Sequence, residues 1–438
     1  MKKVALHNLG CKVNAYETEA MQELLEKNQY EIVPFREGAD IYIINTCTVT
    51  NIADRKSRQM LHRARKMNPN AIVIAAGCYV QTKEKQAQVD DCIDIVIGNN
   101  KKQDLISILA DFQHKGGNQQ GKTASITTEL IDINHTNEYE NLHVSRTAEH
   151  TRAYLKVQDG CNQFCTYCII PFARGRVRSR KKSDVIEEVK NLVKNGYQEV
   201  VLTGIHLSSY GVDFEQKEDL LSLIQSVHEI EGLKRIRLGS LEPRIITTDF
   251  VKAISNLDKL CPHFHLSLQS GCDATLKRMN RRYTSAEYFD ACTLIRDYFI
   301  HPALTTDIIV GFPGETEEEF LQSKAFVEKV GFYETHIFKY SKREGTKAAV
   351  MEEQVADYLK LNRSNQMLEL NEQKREEFEQ FFIQKEVEIL LEEQVEIRDQ
   401  AYFTGHTKEY LRVAVPIENY RQNQIIKIKI DNHSQIIH

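Results

Sequence analysis

The stretch GCNQFCTYCIIPFARGRVRSRKK, residues 160–182, sets Cys161, Cys165 and Cys168 at CxxxCxxC spacing. Thiolates this close in sequence ligate metal, and a closed structural zinc or a ferredoxin-type cluster takes four ligands. Three thiolates reach three corners of a four-iron cluster and leave the last iron without a protein ligand. That vacancy suits a chelating substrate such as the amino and carboxylate groups of a methionine. The competing chemistry is zinc, or cysteines that pack as small apolar side chains. A second set, Cys11, Cys47 and Cys78, is scattered, yet each member ends an apolar run: KKVALHN leads to Leu9-Gly10-Cys11, DIYIIN to Thr46-Cys47 and AIVIAA to Gly77-Cys78. Parallel strands share the edge formed by their carboxyl ends, where ligands bind, so these three thiolates are expected to converge on a second three-ligand site. Cys92, Cys261, Cys272 and Cys292 have no ligand-like spacing and are expected to be structural or incidental thiols.

Cations crowd the region after the first motif. Arg174, Arg176, Arg178, Arg180, Lys181 and Lys182 fall within nine residues, a density that suits phosphate contacts around an active-site mouth; Arg174 is alternatively a cofactor ligand. Two further runs are Arg55, Lys56, Arg58, Arg63, Arg65 and Lys66, and Lys277, Arg278, Arg281 and Arg282. The ordinary role of a charge run is a solvated helix face. The 438-residue chain carries a formal net charge of −5, so any polyanion must be held by local patches, not by global charge. No apolar run is long enough to span a bilayer, and the N-terminus lacks the apolar core of a signal peptide. A cytoplasmic location without membrane contact is expected, and in that reducing compartment ten cysteines argue for metal ligation over disulfides. No Ser/His/Asp or paired-carboxylate arrangement stands out, so no residue is assigned acid–base catalysis.

The elements that must position these residues can be read from the patterning. In residues 1–111, short continuous apolar runs alternate with helical segments such as YETEAMQELLEKNQ, the grammar of a parallel α/β domain buried on both faces. Residues 112–151 are polar with little helical periodicity and read as a linker with some extended structure. Residues 152–374 resume the strand-then-helix order with six candidate strands, AYLKVQDG, EVVLTGIHL, RIRLGSLEP, HFHLSLQSG, ALTTDIIVGFPGE and THIFKYS. Six such units fit an open, partial (βα)6 TIM-like barrel, with a flat doubly wound sheet as the alternative. Chemistry in such barrels sits on the loops after the strands, where CxxxCxxC lies. Residues 375–438 alternate apolar and polar side chains and are expected to form a small antiparallel β-barrel.

With an aromatic residue, Tyr167, before its last cysteine, CxxxCxxC resembles the radical S-adenosylmethionine signature. The resemblance implies a [4Fe–4S] cluster whose open iron binds the methionine end of the cofactor, and a radical formed from that cofactor. It further implies that Tyr167 contributes to cofactor binding and that Thr203 and Gly204 lie near the methionine moiety. Ser240, Glu242, Ser267, Gln269 and Asp307 would approach cofactor or substrate, and the turn 311–315, GFPGE, would lie beside the adenosine. Across the whole chain, the order of a three-cysteine domain, a radical domain and a small β-domain resembles the methylthiotransferases, whose last module is a TRAM domain. GCKVN at Gly10–Asn14 and DGCNQFCTYCIIPFARGRVRSR are similar to the branch that modifies N6-threonylcarbamoyladenosine at position 37, next to the tRNA anticodon. That likeness implies two [4Fe–4S] clusters, with Cys11, Cys47 and Cys78 on the auxiliary one, S-adenosylmethionine used twice, and insertion of a methylthio group at C2 of the adenine. The implied partners are a tRNA anticodon stem-loop, a low-potential electron donor and a sulfur source. The alternatives are action on isopentenyladenosine in tRNA or on a ribosomal protein and, from another class, a non-catalytic zinc protein that binds RNA.

Overall fold

A computed structural model describes residues 1–88, 90–115, 126–146, 151–417 and 420–438. The N-terminal domain runs β1 (Lys3–Asn8), α1 (Lys12–Lys27), β2 (Glu31–Ile32), β3 (Ile41–Thr46), α2 (Asn51–Met67), β4 (Ile72–Gly77), α3 (Cys78–Thr82), α4 (Glu84–Ala87), β5 (Ile95–Ile97), α5 (Leu105–His114) and β6 (Thr127–Glu129). Its sheet has the order β2-β1-β3-β4-β5-β6, and every pairing is parallel. The unbroken apolar runs reflect burial on both faces. Ile43, Ile74 and Ile97 pack to one side of the sheet, and Tyr42, Ile44, Val73 and Val96 to the other.

The segment expected to be a linker is partly built into the fold. Helix α5 continues past residue 111, β6 extends the sheet beside β5, and Leu142 and Val144 are buried in the core of the next domain. Residues 116–125 and 147–150 of that stretch lie outside the described residues.

The central domain comprises β7 (Ala153–Asp159), α6 (Ile170–Arg174), β8 (Arg178–Ser179), α7 (Lys182–Lys194), β9 (Glu199–Gly204), α8 (Leu220–His228), β10 (Arg235–Leu238), α9 (Thr248–Ser255), β11 (His263–His265), α10 (Asp273–Arg278), α11 (Ser285–Tyr298), β12 (Ala303–Val310), α12 (Glu317–Val330) and β13 (Glu334–Lys339). Strands β7, β9 and β10 are parallel neighbours, as are β11, β12 and β13, and the bridges Ile236–Leu260 and Leu241–Leu266 join the two groups. Six parallel strands in chain order make an open barrel, not a flat doubly wound sheet. Side chains alternate across its wall. Leu155, Val157, Val200, Leu202, Ile236, Leu238, Phe264 and Leu304 share one apolar core with the surrounding helices. The alternate positions, Lys156, Glu199, Arg235, Arg237, His263 and Thr305, are buried and polar, so the lumen is lined with charge and hydrogen-bonding groups.

Helix α13 (Asp357–Gln380) runs unbroken through the boundary expected at 374/375 and leads into β14 (Glu386–Ile397), β15 (Gln400–Thr407), β16 (Arg412–Pro416) and β17 (Ile425–Lys429). These strands form an antiparallel sheet of order β16-β15-β14-β17 around Ile389, Leu391, Phe403, Val413 and Val415. This sheet covers the amino-terminal end of the central barrel. Arg235 donates to the carbonyls of Glu388 and His406 (2.8 Å each), and Arg237 to those of Lys408 (3.0 Å) and Thr407 (3.1 Å). The Tyr410 ring stacks on His263 at 4.4 Å.

Candidate metal centres

In the N-terminal sheet β1, β3 and β4 are neighbours, with Asn8 beside Asn45 and Thr46 beside Gly77. Cys11, Cys47 and Cys78, which come directly after these strands, are thereby brought to one edge. The loops pack closely. Gly10 has φ +106°, and a Cβ there would lie 2.9 Å from Cys47 Cβ and 3.0 Å from its Sγ, so no other residue fits without moving a thiol. Asn14 Nδ2 donates to the carbonyls of Leu9 (2.7 Å) and Thr46 (3.1 Å) and ties two of the loops together. Cys47 and Cys78 are buried, and Cys11 is open to solvent in a recess crowded by both domains. Burial pushes the Cys47 thiol up to about 11, and the nearby Cys78 and Cys11 add to the effect.

The central motif comes directly after β7. At Gly160, φ is +71° and a Cβ would sit 1.8 Å from the Arg176 carbonyl oxygen. The loop is pinned by N–H donors: Cys161 to the Gly175 carbonyl (3.0 Å), Thr166 to that of Met279 (3.0 Å) and Cys168 to that of Cys165 (3.0 Å). Burial pushes Cys161 up to about 11 and Cys168 up to about 12, with the Cys165 sulfur contributing to both. Arg281 Nη1 donates to Cys165 Sγ at 3.2 Å.

The donor sets fit four-iron clusters better than single ions. One tetrahedral zinc with bonds of about 2.3 Å would draw its thiolates into contact. Among the described residues, the groups of three ligand atoms that all lie within 4.8 Å of one another are His62/Asp90/Cys92 and His265/Asp307/His336; neither cysteine triad is that compact. Sulfurs held further apart suit separate irons of one cluster. Because buried thiols hold their protons, ligation must release them.

A buried ionic network stands behind both triads. Arg174 donates to Glu17 (2.8 Å), Asn14 (2.5 Å) and Asp159 (3.1 Å). Lys156 pairs with Glu17 (2.8 Å) and Asp159 (2.6 Å), and Lys102 with Glu17 (3.0 Å). Asn14 stands three residues after Cys11, and Asp159 two before Cys161, so the network fixes one triad relative to the other. Arg343, from the loop after β13, adds a second clasp through Thr48 and Asp54 (2.7 Å each).

This network corrects the expectation of a continuous run of RNA contacts. Arg174, Arg178 and Arg180 are buried. Arg174 sits in the network, Arg178 approaches Asp159 at 3.8 Å, and Arg180 pairs with Glu188 at 2.6 Å. An arginine run has the same composition whether its members meet phosphates or internal carboxylates. Arg176 and Lys181 are exposed, with Arg176 over the Phe164 ring at 4.5 Å, while Lys182 is half-buried and pairs with Glu218 at 3.1 Å. On α2, Arg55, Lys56, Arg58, Arg63 and Lys66 stand clear of the core, and Arg65 pairs with Asp94 at 2.6 Å.

The residues expected around the cofactor stand mostly on the carboxyl-end rim of the barrel. Thr203 and Gly204 end β9, Ser240 and Glu242 come after β10, and Ser267 and Gln269 after β11. Gln163 of the cysteine loop donates to Glu242 (3.4 Å). Burial pushes the Glu242 carboxyl up, but His206 and Arg281 outweigh it and hold the group below its usual range. Tyr167 sets its ring edge-on to Phe312, 6.4 Å away. Ser240 is exposed and Thr203 buried. Asp307 lies deeper, within β12, and its Oδ2 is 3.3 Å from His265 Nε2. Sequence reasoning missed Asn99, whose Nδ2 is 3.5 Å from Cys78 Sγ, and the approach of Arg281 to Cys165. No local pattern marks Asn99, and Arg281 was visible only as one cation in a run.

The chain matches the Radical SAM superfamily over residues 155–327 and the uncharacterized protein family UPF0004 over residues 3–98. It is 39% identical, over 98% of its length and 94% of the relative's, to threonylcarbamoyladenosine tRNA methylthiotransferase MtaB of Bacillus subtilis. To the protein of that name from Aquifex aeolicus it is 37% identical over 94% of this chain and 98% of that one. To tRNA-2-methylthio-N(6)-dimethylallyladenosine synthase of Thermoanaerobacter pseudethanolicus it is 36% identical, over 92% and 84% respectively. Among solved structures, the radical S-adenosylmethionine methyltransferase TsrM from Kitasatospora setae shares the fold at a TM-score of 0.57 and 14% identity, covering 80% of this chain and 74% of that chain. The chain therefore belongs to the radical S-adenosylmethionine methylthiotransferase family, which uses two [4Fe–4S] clusters and S-adenosylmethionine.

Proposed function

We propose that this protein inserts a methylthio group at C2 of N6-threonylcarbamoyladenosine at position 37 of tRNA. The observation that carries this reading is the pairing of two three-thiolate sites across one buried ionic network, in a chain with full-length likeness to enzymes of that name. Cys161, Cys165 and Cys168 would hold the cofactor-binding cluster, and Cys11, Cys47 and Cys78 the auxiliary one. When bound, the clusters and S-adenosylmethionine supply the electron, the hydrogen-abstracting radical and the sulfur. A radical is required because C2 carries no acidic proton for a general base to remove.

The chain's own residues bind, orient and shield. Thr203, Gly204, Ser240, Glu242, Ser267 and Gln269 form the rim that would receive the cofactor. Arg281 holds Cys165 by a charge-assisted hydrogen bond. Arg176 and Lys181, with the outward-facing cations of α2, offer phosphate contacts to an anticodon stem-loop. A low-potential electron donor and a sulfur source complete the partners in a cytoplasmic setting; no helix among the described residues is long and apolar enough to cross a membrane. The lumen favours a polar substituent over dimethylallyl, since Lys156, Glu199, Arg237 and His263 line it.

Two measurements test the reading. Anaerobically reconstituted protein should hold on the order of eight irons per chain, and a Cys78→Ser variant about half as many, with cofactor cleavage kept and methylthio transfer lost. Mass analysis of tRNA nucleosides from a deletion strain should show threonylcarbamoyladenosine without its methylthio mark; an unchanged profile rules the reading out.

A further inference from the structure

Among the described residues β13 pairs with β12 alone, so it is the free edge of the open barrel. His336 and Phe338 occupy alternate positions on it and are exposed, whereas Lys156, Glu199 and Arg237 on the inner strands are buried. Asp307 is the direct neighbour of His336 in the parallel register, as Thr305 is of His265, and alternation puts all four on the lumen face. One ring nitrogen from each of His265 and His336 and one carboxylate oxygen of Asp307 lie within 4.8 Å of one another. A hydrogen-bonded chain leads to this group from the floor. Arg237 Nη1 meets His263 Nδ1 (3.3 Å), His263 Nε2 meets Thr305 Oγ1 (3.4 Å), Thr305 Oγ1 meets His265 Nδ1 (3.0 Å) and His265 Nε2 meets Asp307 Oδ2 (3.3 Å). The two ends fix the protons: a guanidinium only donates and a carboxylate only accepts, so His263 accepts at Nδ1 and His265 donates at Nε2. Both nitrogens of His265 are thereby occupied in orienting Asp307. The Asp307 carboxylate, half-buried and engaged at one oxygen, keeps acceptor capacity toward the lumen, and the exposed His336 ring beside it supplies a donor.

We propose that Asp307 and His336 form a specificity subsite for the carbamoyl group on N6 of the substrate adenine, Asp307 accepting from an N–H of that group and His336 donating to its carbonyl oxygen. The proposal rests on the threonylcarbamoyl reading and deepens it. The subsite lies just beneath the rim that would receive the cofactor: Gln269 of that rim donates its backbone N–H to the Asp307 carbonyl at 2.8 Å and accepts from Ile309 at 2.9 Å. With C2 held at the rim, N6 is carried on the same six-membered ring, so its substituent reaches the next layer of the lumen. A carbamoyl group presents N–H and C=O side by side, which matches an acceptor and a donor on adjacent strands. Dimethylallyl offers neither. It would strip water from both side chains and leave them unpaired, the arrangement that rejects an analogue most strongly.

The test uses anticodon stem-loops that differ only at position 37, carrying threonylcarbamoyladenosine, isopentenyladenosine or unmodified adenosine, and reads their binding to the two-cluster protein by fluorescence anisotropy. Wild type should bind the threonylcarbamoyl form about tenfold tighter than the unmodified one, the contribution of one or two hydrogen bonds. His336→Phe should bring these two within about twofold of each other while its affinity for the unmodified form stays at the wild-type value, because the phosphate contacts are untouched. Asp307→Ala should lose the preference likewise, and His336→Gln, which keeps a donor, should retain most of it. Iron content and the visible spectrum of each variant report whether both clusters are intact. Should His336→Phe fail to hold iron, His336→Val, a good strand former, takes its place. A His336→Phe or Asp307→Ala protein that keeps the full ratio overturns the subsite alone, as does a wild type that methylthiolates the threonylcarbamoyl stem-loop yet binds it no tighter than the unmodified one. A wild type that binds and modifies the isopentenyl stem-loop instead overturns the proposed function with it.

Discussion

Arg174 and Arg176 stand two residues apart in one basic run, yet one is fully buried and the other exposed. The difference decides what each substitution does. Arg174→Met removes the charge that two buried carboxylates share and should destabilise the apo-protein by about 3–5 kcal/mol in urea unfolding. Arg176→Ala should leave stability within about 0.5 kcal/mol but weaken stem-loop binding uniformly and reduce its salt slope by about one. Equal losses of stability would contradict the burial difference. Arg281→Met tests a third environment. Without a cation and donor on Cys165 the oxidised cluster is favoured, so a redox titration followed by electron paramagnetic resonance should give a more negative midpoint. The six cysteines were legible in the sequence because metal chemistry demands a particular atom in a particular number. The arginines were not, because a guanidinium serves a phosphate and a buried carboxylate equally well.

At the scale of elements, the strands that carry the cysteines were readable for a simple reason. A strand buried on both faces must be apolar throughout, and the residue that ends the run marks the ligand-binding edge. The side-by-side placement of β1, β3 and β4 agrees with that grammar. The expected linker misled because β6 is a three-residue edge strand, Thr127–Glu129, whose polar composition differs little from a loop. The boundary expected at 374/375 fell inside α13 because a charged helix looks the same whether it ends one domain or leads into the next. The loops after the strands are where the geometry is least forgiving. Gly10→Ala adds a Cβ against Cys47 in a left-handed conformation, costing roughly 1–2 kcal/mol for the backbone alone. Reconstituted Gly10→Ala protein should lose the auxiliary cluster and keep the central one, falling to about four irons per chain with cofactor cleavage retained. Loss of both clusters would mean that the two triads do not fold as separate loop assemblies.

For the whole molecule, charge contributes to the joint between the C-terminal sheet and the barrel, beside apolar packing and ring stacking. Burial pushes the Glu199 carboxyl up, but Arg237, Arg152 and Arg235 outweigh that and hold it below the usual carboxylate range. Glu392 is likewise lowered on balance, with His406 and Arg152 overcoming its desolvation. A carboxyl whose folded value is depressed contributes stability that is present above its unfolded value, near about 4.3, and is lost as pH falls through the lower folded value. Acid should therefore loosen this joint before it melts the apolar sheets, whose cores contain no titrating group of this kind. Hydrogen exchange of the apo-protein between about pH 4 and pH 3 should show faster exchange in β15 and in the loop around Tyr410, while β3 and β4 stay protected. Glu199→Gln should move that behaviour to neutral pH by removing the charge outright. Because Tyr410 stacks on His263 in the lumen floor, loosening the joint opens the barrel from below. The same variant should then admit water to the substrate chamber and raise uncoupled cofactor cleavage relative to methylthio transfer. If Glu199→Gln leaves exchange around Tyr410 unchanged at neutral pH, stacking and backbone hydrogen bonds hold the joint, and its charges are incidental.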